Sequence, residues 1–203
     1  GGEKVLAEVR GIALVRHVVD RLRLAGLAPV VVVAGPSPDG VRSALVGTDA
    51  QVVANPDPSS GMSGSLGLGV SALPEEVDAF VVALGDQPFI EASIVRTLGE
   101  TWRDSNAAAV VPMYRDGRGN PVLFDASMRR RLQALEGDTG ARDLLGAMGD
   151  RVLRVPVDGD APRDVDTPDD VRRLDAELGG GRLCWPEEGG AMPAQSGSSL
   201  SGI

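Results

Sequence analysis

Apolar positions along the chain change period in a regular way. Leu14, Val15, Val18, Val19 and Leu22 fall at helical spacing within residues 5–24, and Gly26 ends the series. Pro29-Val30-Val31-Val32-Val33-Ala34 follows as an unbroken β-branched run, cut off by Gly35-Pro36. Runs without polar alternation suit strands covered on both faces. Residues 51–54, 79–84, 107–112 and 152–157 read as further strands. Between them, 64–73, 91–102, 128–135 and 141–148 read as helices, the second placing Ile94, Val95, Leu98 and Trp102 on one face. Strand alternating with helix predicts an α/β fold: a mainly parallel sheet with helices on both faces.

The last helix has an explicit start. Thr167 suits the N-cap, Pro168 the first helical position, and the acidic Asp169 and Asp170 follow where a capping box places a carboxylate. Val171, Leu174 and Leu178 continue its apolar stripe. After Gly179-Gly180-Gly181 the composition shifts to Gly, Ser, Pro and Glu. The predicted organisation is one domain over 1–178 and a flexible tail over 179–203 that holds Cys184 and Trp185.

Composition narrows the function. With 42% hydrophobic and 24% charged residues, the 203-residue chain has the balance of a globular protein. Aromatics are only 3%, so Val, Leu, Ile and Ala must build the core. Twenty basic residues against 29 acidic ones give a net charge of −9, which opposes a nucleic-acid partner. Cys184 and His17 are each the single residue of their type. That excludes an intrachain disulfide, a thiolate zinc cluster and any mechanism needing two imidazoles. No apolar run reaches the ~18 residues of a membrane span, and no basic-then-apolar leader opens the chain. A soluble, cytoplasmic protein is expected, with no membrane partner.

Four motifs could carry chemistry. Leu84-Gly85-Asp86-Gln87-Pro88 directly follows an apolar strand, where ligands bind in open α/β sheets. Asp86 there reads equally as a turn residue or as a carboxylate holding Mg²⁺ against phosphate oxygens. In Asp164-Val165-Asp166-Thr167-Pro168, an extended backbone puts Asp164 and Asp166 on one side. They could join Asp86 on one cation, or form a solvated turn that caps a helix. Asn55-Pro56-Asp57-Pro58-Ser59-Ser60-Gly61-Met62-Ser63-Gly64 runs from a strand through a Gly/Ser loop into a helix. Such a start suits an anionic or nucleobase ligand, or is a plain loop. Arg118-Gly119-Asn120-Pro121 and Gly137-Asp138-Thr139-Gly140-Ala141-Arg142 are polar turns with arginines that could rim an anion site.

The order of these motifs resembles the MobA-like nucleotidyltransferase family, closest to its molybdenum cofactor cytidylyltransferase branch. The likeness runs from Gly1 to about Leu178 and rests on Gly85–Pro88, Arg118–Phe124, Gly137–Arg142 and Asp164–Pro168. It implies a Rossmann-like nucleotidyltransferase fold and an Mg²⁺-dependent transfer of CMP from CTP to a molybdopterin-type phosphorylated acceptor, with release of pyrophosphate. By that resemblance Asp86 is a metal ligand, completed by Asp164 or Asp166. Lys4, the chain's single lysine, is the catalytic phosphate lysine. Asn55, Gly61 and Ser63 line the nucleotide, and Arg118, Asn120, Asp138 and Arg142 face the acceptor. Gln87 is similar to the cytidylyl branch, whereas Asn120 replaces that branch's usual histidine. A molybdenum hydroxylase is the implied protein partner.

The family opens with an apolar strand and a glycine-rich phosphate loop ahead of its lysine. This chain starts at Gly1-Gly2-Glu3-Lys4, so the resemblance implies a native chain with further residues before Gly1, and an apolar slot in the sheet without them. Two other functions follow from relatives and from that missing loop. One is an NAD(P)H-dependent oxidoreductase of the nicotine blue oxidoreductase type. The other is a non-catalytic carrier of molybdenum cofactor.

Overall fold

The computed structural model describes residues 4–138 and 140–177. The tail predicted over 179–203, with Cys184 and Trp185, and the stripe residue Leu178 lie outside the described residues. Lys4–Leu6 forms a 3-10 turn, followed by a hairpin of β1 (Glu8–Val9) and β2 (Ile12–Ala13). Arg10 and Gly11 turn it with φ of 57° and 73°, the paired left-handed geometry that two-residue hairpins use. The first helix is accordingly shorter than its apolar window. It is α1 (Leu14–Leu24), and it buries the five residues that carried the period.

The order continues with β3 (Val31–Ala34), α2 (Asp39–Ala44), β4 (Gln51–Ala54), α3 (Gly61–Ala72), β5 (Ala79–Val82) and α4 (Ala92–Arg103). Then come β6 (Ala109–Tyr114), β7 (Gly117–Arg118), β8 (Val122–Asp125), α5 (Arg129–Gln133), α6 (Arg142–Ala147), β9 (Val152–Pro156) and α7 (Pro168–Glu177). β3 and β4 pair in parallel. A five-stranded sheet runs β5-β8-β6-β7, with β9 also on β6. β5 and β6 are both antiparallel to β8, so they share a direction, and β9 is parallel to β6. Apart from the short β7 hairpin arm, β8 alone opposes the others in this sheet. It is also a strand that the sequence pattern did not single out. Val122-Leu123-Phe124 follows Asn120-Pro121 so closely that it reads as the end of a polar turn, yet all three residues are buried.

Both faces of the sheet are covered, which is why its strands lack alternation. Phe80, Ala109, Val111, Val122, Phe124 and Val152 pack with Val70 of α3 and Leu132 of α5. The intervening Val81, Val110, Leu123 and Leu153 pack with Leu98 and Trp102 of α4. Phe124 is fully buried, so Phe124→Ala would cost about 3–5 kcal/mol. Among the described residues β3 pairs only with β4, and β5 only with β8.

Candidate active site

The first cluster forms beyond the end of β5. The 3-10 turn at Lys4–Leu6 packs closely on the strand end, where a Cβ at Gly85 would stand 3.3 Å from Val5. This approach brings the Lys4 ammonium to 2.6 Å from Asp86 Oδ2 and 2.6 Å from Asp166 Oδ1. Partial burial alone would lower the pKa of Lys4. The hydrogen bonds to Asp166 and Asp86 outweigh that, so its pKa lies above the ordinary 10.5 and the cation is permanent at neutral pH.

Asp166 arrives on a strap, residues 163–167, that crosses the strand end. Val165 donates its N–H to the Asp86 carbonyl at 2.9 Å. Its side chain is fully buried among Ala7, Val9, Leu14, Val171 and Leu174. Asp164 and Asp166 therefore project away from that core, as the extended reading expected, but to different partners. Asp164 Oδ1 accepts from the Gln87 side chain at 2.8 Å, while Asp166 faces Lys4. Beyond the strap the capping box forms: Asp170 donates its N–H to Thr167 Oγ1 at 3.2 Å, and Asp170 Oδ2 accepts from the Thr167 N–H at 2.9 Å. Among the described residues no three His, Cys, Asp or Glu side chains converge as a metal cage. Two carboxylates do share one cation, and Asp86 Oδ1 is buried without a donor. Mg²⁺ typically takes one or two protein carboxylates plus substrate phosphates, so Asp86 and Asp166 fit such an ion.

The second cluster is the start of α3. Gly61 has φ of 72° and ψ of −165°, a conformation open essentially to glycine alone. A Cβ there would overlap the Asp138 carboxylate and come within 2.9 Å of the Gly137 carbonyl. Gly137 and Asp138 sit directly on the helix start. Ser63 donates its N–H to the Gly137 carbonyl at 3.2 Å, and Met62 its N–H to Asp138 Oδ1 at 3.3 Å. Asp138 thus meets the positive end of the helix. The nucleotide candidates Gly61 and Ser63 and the acceptor candidate Asp138 lie in one place. Asn55, buried just before them, spends its side chain internally, donating to Ser65 Oγ at 3.0 Å and accepting from the Asp57 N–H at 2.9 Å. The Ser63 hydroxyl is buried without a partner. Arg142 is exposed at the start of α6, just after the turn.

Arg118 ends β7, and Asn120 lies on the loop between β7 and β8. Tyr114, buried at the end of β6, donates its hydroxyl to the Asn120 carbonyl at 2.8 Å. Burial, with Glu91 and Asp116 nearby, pushes its pKa up to about 12. A Cβ at Gly119 would meet the Tyr114 ring at 2.9 Å and Ala161 at 3.1 Å. The loop therefore borders the segment that leads into the strap. Neither Tyr114 nor Gln87 was given a binding role from sequence. A tyrosine ending an apolar strand is the one signal that could have flagged the first, since a buried hydroxyl needs a partner. His17 is taken up structurally, with Nε2 3.1 Å from the Val9 carbonyl.

The chain and its fold have counterparts among known proteins. A family model described as MobA-like NTP transferase domain matches residues 1–152. The nicotine blue oxidoreductase of Paenarthrobacter nicotinovorans is 30% identical over 180 residues, spanning 85% of this chain and 88% of that protein. Rv0371c of Mycobacterium tuberculosis H37Rv, solved in complex with manganese, superposes with a TM-score of 0.72 at 30% identity, covering 85% of this chain and 91% of that one. A Methanothermobacter nucleotidyl transferase superposes with a TM-score of 0.70 at 26% identity, over 86% and 84% of the two chains. The chain belongs to the MobA-like nucleotidyltransferase family, and its mostly parallel sheet is the Rossmann-like fold of those relatives.

Proposed function

We propose that the protein transfers CMP from CTP to a molybdopterin-type phosphorylated acceptor, with Mg²⁺, releasing pyrophosphate. The observation that carries the reading is the Lys4 ammonium held between Asp86 and Asp166 at the end of β5. That places a fixed cation and two carboxylates at the position where α/β sheets receive nucleotides. The relative solved in complex with manganese supports a divalent ion. Asp86 and Asp166 would hold it, and the ion would supply charge neutralisation on phosphate oxygens.

An acceptor phosphate oxygen attacks the α-phosphorus of the nucleotide, and the bond to the pyrophosphate oxygen breaks. The acceptor is already an anion, so no protein base has to remove a proton. The chain's work is to align two anions and offset their repulsion. Lys4 supplies a positive charge that does not titrate near neutrality. The start of α3, with the unpartnered hydroxyl of Ser63, is the seat for the nucleotide. Arg118, Asn120 and Arg142 are the exposed or half-exposed polar side chains left for the acceptor.

The test is pyrophosphate release from the full chain with Mg²⁺, each of the four nucleoside triphosphates in turn, and molybdopterin cofactor. Acceptor-dependent release with CTP, abolished by Asp86→Asn, supports the proposal. Release with another nucleotide only, or without need of the acceptor, overturns the substrate assignment. The name of the Paenarthrobacter relative makes NAD(P)H oxidation the alternative activity, and it is assayed on the same preparation.

A further inference from the structure

Gln87 is 6% exposed, and its side chain points at Asp164, with Nε2 2.8 Å from Oδ1. The orientation of this amide follows from chemistry. An ionised carboxylate only accepts, so the NH₂ must face it. The opposite oxygen, Gln87 Oε1, is buried without a donor. A buried polar side chain kept at that cost points to a task for its other end. The Val165 N–H to Asp86 carbonyl bond then fixes the next residue, and Asp166 emerges opposite Asp86.

We infer that Gln87 is a positioning residue: it clamps Asp164 and thereby sets the Asp166 carboxylate across from Asp86, so that Asp164 acts as an anchor rather than as a ligand to the divalent ion. This deepens the proposed function and rests on its metal reading. One consequence is that hydrogen-bonding capacity, not charge, is what Asp164 must keep. Asp164→Asn retains an oxygen that accepts from Gln87, whereas Asp164→Ala does not.

The experiment uses Mn²⁺ alone as the probe, titrated into the full chain and followed by electron paramagnetic resonance, together with amide hydrogen exchange over 164–167. Gln87→Leu and Asp164→Ala should each weaken Mn²⁺ binding about tenfold, the usual scale for losing one charge-assisted hydrogen bond. Both should speed exchange at the Val165 amide. The double variant should be no worse than either single one, because the two groups act as one unit. Asp164→Asn should stay within about threefold of the unaltered chain in affinity, on the same hydrogen-bond scale, with Val165 protection retained. An Asp164→Asn loss as large as that of Asp86→Asn makes Asp164 a ligand and overturns the inference. Unchanged Mn²⁺ affinity and Val165 exchange in Gln87→Leu do the same. If Gln87→Leu fails to fold, Asp164→Asn set against Asp164→Ala still decides the matter. If Asp86→Asn leaves Mn²⁺ binding untouched, the metal reading has failed instead, and hydrogen exchange alone judges the clamp.

Discussion

The cluster at the end of β5 draws Lys4, Asp86 and Asp166 from three segments, with Lys4 and Asp166 separated by 162 positions in the chain, and buried anchors fix them. Val165 sits in the core and Gln87 beneath the strap. The start of α3 is made the other way, from a glycine conformation, backbone N–H groups and a neighbouring exposed turn. In one region the chemistry lies in side-chain charges whose placement needs the whole fold. In the other it lies in backbone groups that local sequence arranges. The first should therefore fail through its charges and its distant supports, and the second through its glycine.

The largest effect is expected at Lys4. Lys4→Ala removes the cation offered to phosphate and should lower transferase turnover about a hundredfold or more. It also frees two carboxylates from their ammonium, so Mn²⁺ affinity should rise while turnover falls. Asp86→Asn should lower both. A Lys4→Ala protein that loses Mn²⁺ binding would mean the lysine organises the carboxylates rather than competing for them. The pH sense is fixed by the raised pKa. The stabilisation from this ion pair is complete below 10.5 and is lost as pH climbs through the higher folded value.

Gly61→Ala breaks the second region by its own logic. The backbone there costs about 1–3 kcal/mol in a residue with a Cβ, and the new methyl meets both Asp138 and the Gly137 carbonyl. Urea unfolding should show a loss of about 2 kcal/mol or more on those grounds. Asp138→Ala in the same background should recover only part of it, since the backbone strain remains. Full recovery would assign the cost to the carboxylate alone.

The two regions were unequally legible in the sequence. The loop into α3 announces itself by composition, which is what singles out Gly61 and Ser63. That Asp138 sits on that helix start is not visible in the sequence, because 76 positions separate it from Met62 and only the packing of Gly137 and Asp138 against the helix joins them. For the strap, period two placed Asp164 and Asp166 on one side correctly. It could not say that Gln87 would take one and Lys4 the other. β8 was overlooked because its three buried residues follow a Gly-Asn-Pro turn without any separating signal. Strands buried on both faces were readable from their unbroken apolar runs. The hairpin before α1 was hidden by apolar residues that suit a helix equally well.

Tyr114→Phe tests a support of intermediate size, on the loop that carries Asn120. Losing the hydroxyl's bond to the Asn120 carbonyl should cost about 1 kcal/mol at neutral pH. Because the folded pKa is raised to about 12, the unaltered protein keeps the benefit of a neutral phenol below about pH 10 and loses it as pH rises towards 12. The stability gap between the two proteins should therefore close over that interval. A gap that stays constant would mean the phenol ionises freely in the folded protein.

The smallest effect belongs to Asp170, which links the helix cap to the strap. Its Oδ2 accepts from the Thr167 hydroxyl at 2.7 Å, from the Thr167 N–H and from the Asp166 N–H at 3.2 Å. The bond from the Thr167 hydroxyl does most to hold its pKa below the ordinary 3.8; desolvation opposes it, and the two N–H groups and Arg173 add to it. Asp170→Ala should cost about 1 kcal/mol, the usual value of a cap. A depressed carboxylate stabilises above its unfolded pKa and ceases to as pH falls through the folded one, so the difference should fade below pH 3.8. Mn²⁺ affinity distinguishes the two supports of Asp166. If Gln87 is the anchor, Asp170→Ala leaves that affinity almost unchanged despite its loss of stability. If affinity falls with the cap as far as it falls with Gln87→Leu, the strap is held from its helix end, and the contrast between buried anchor and surface cap disappears.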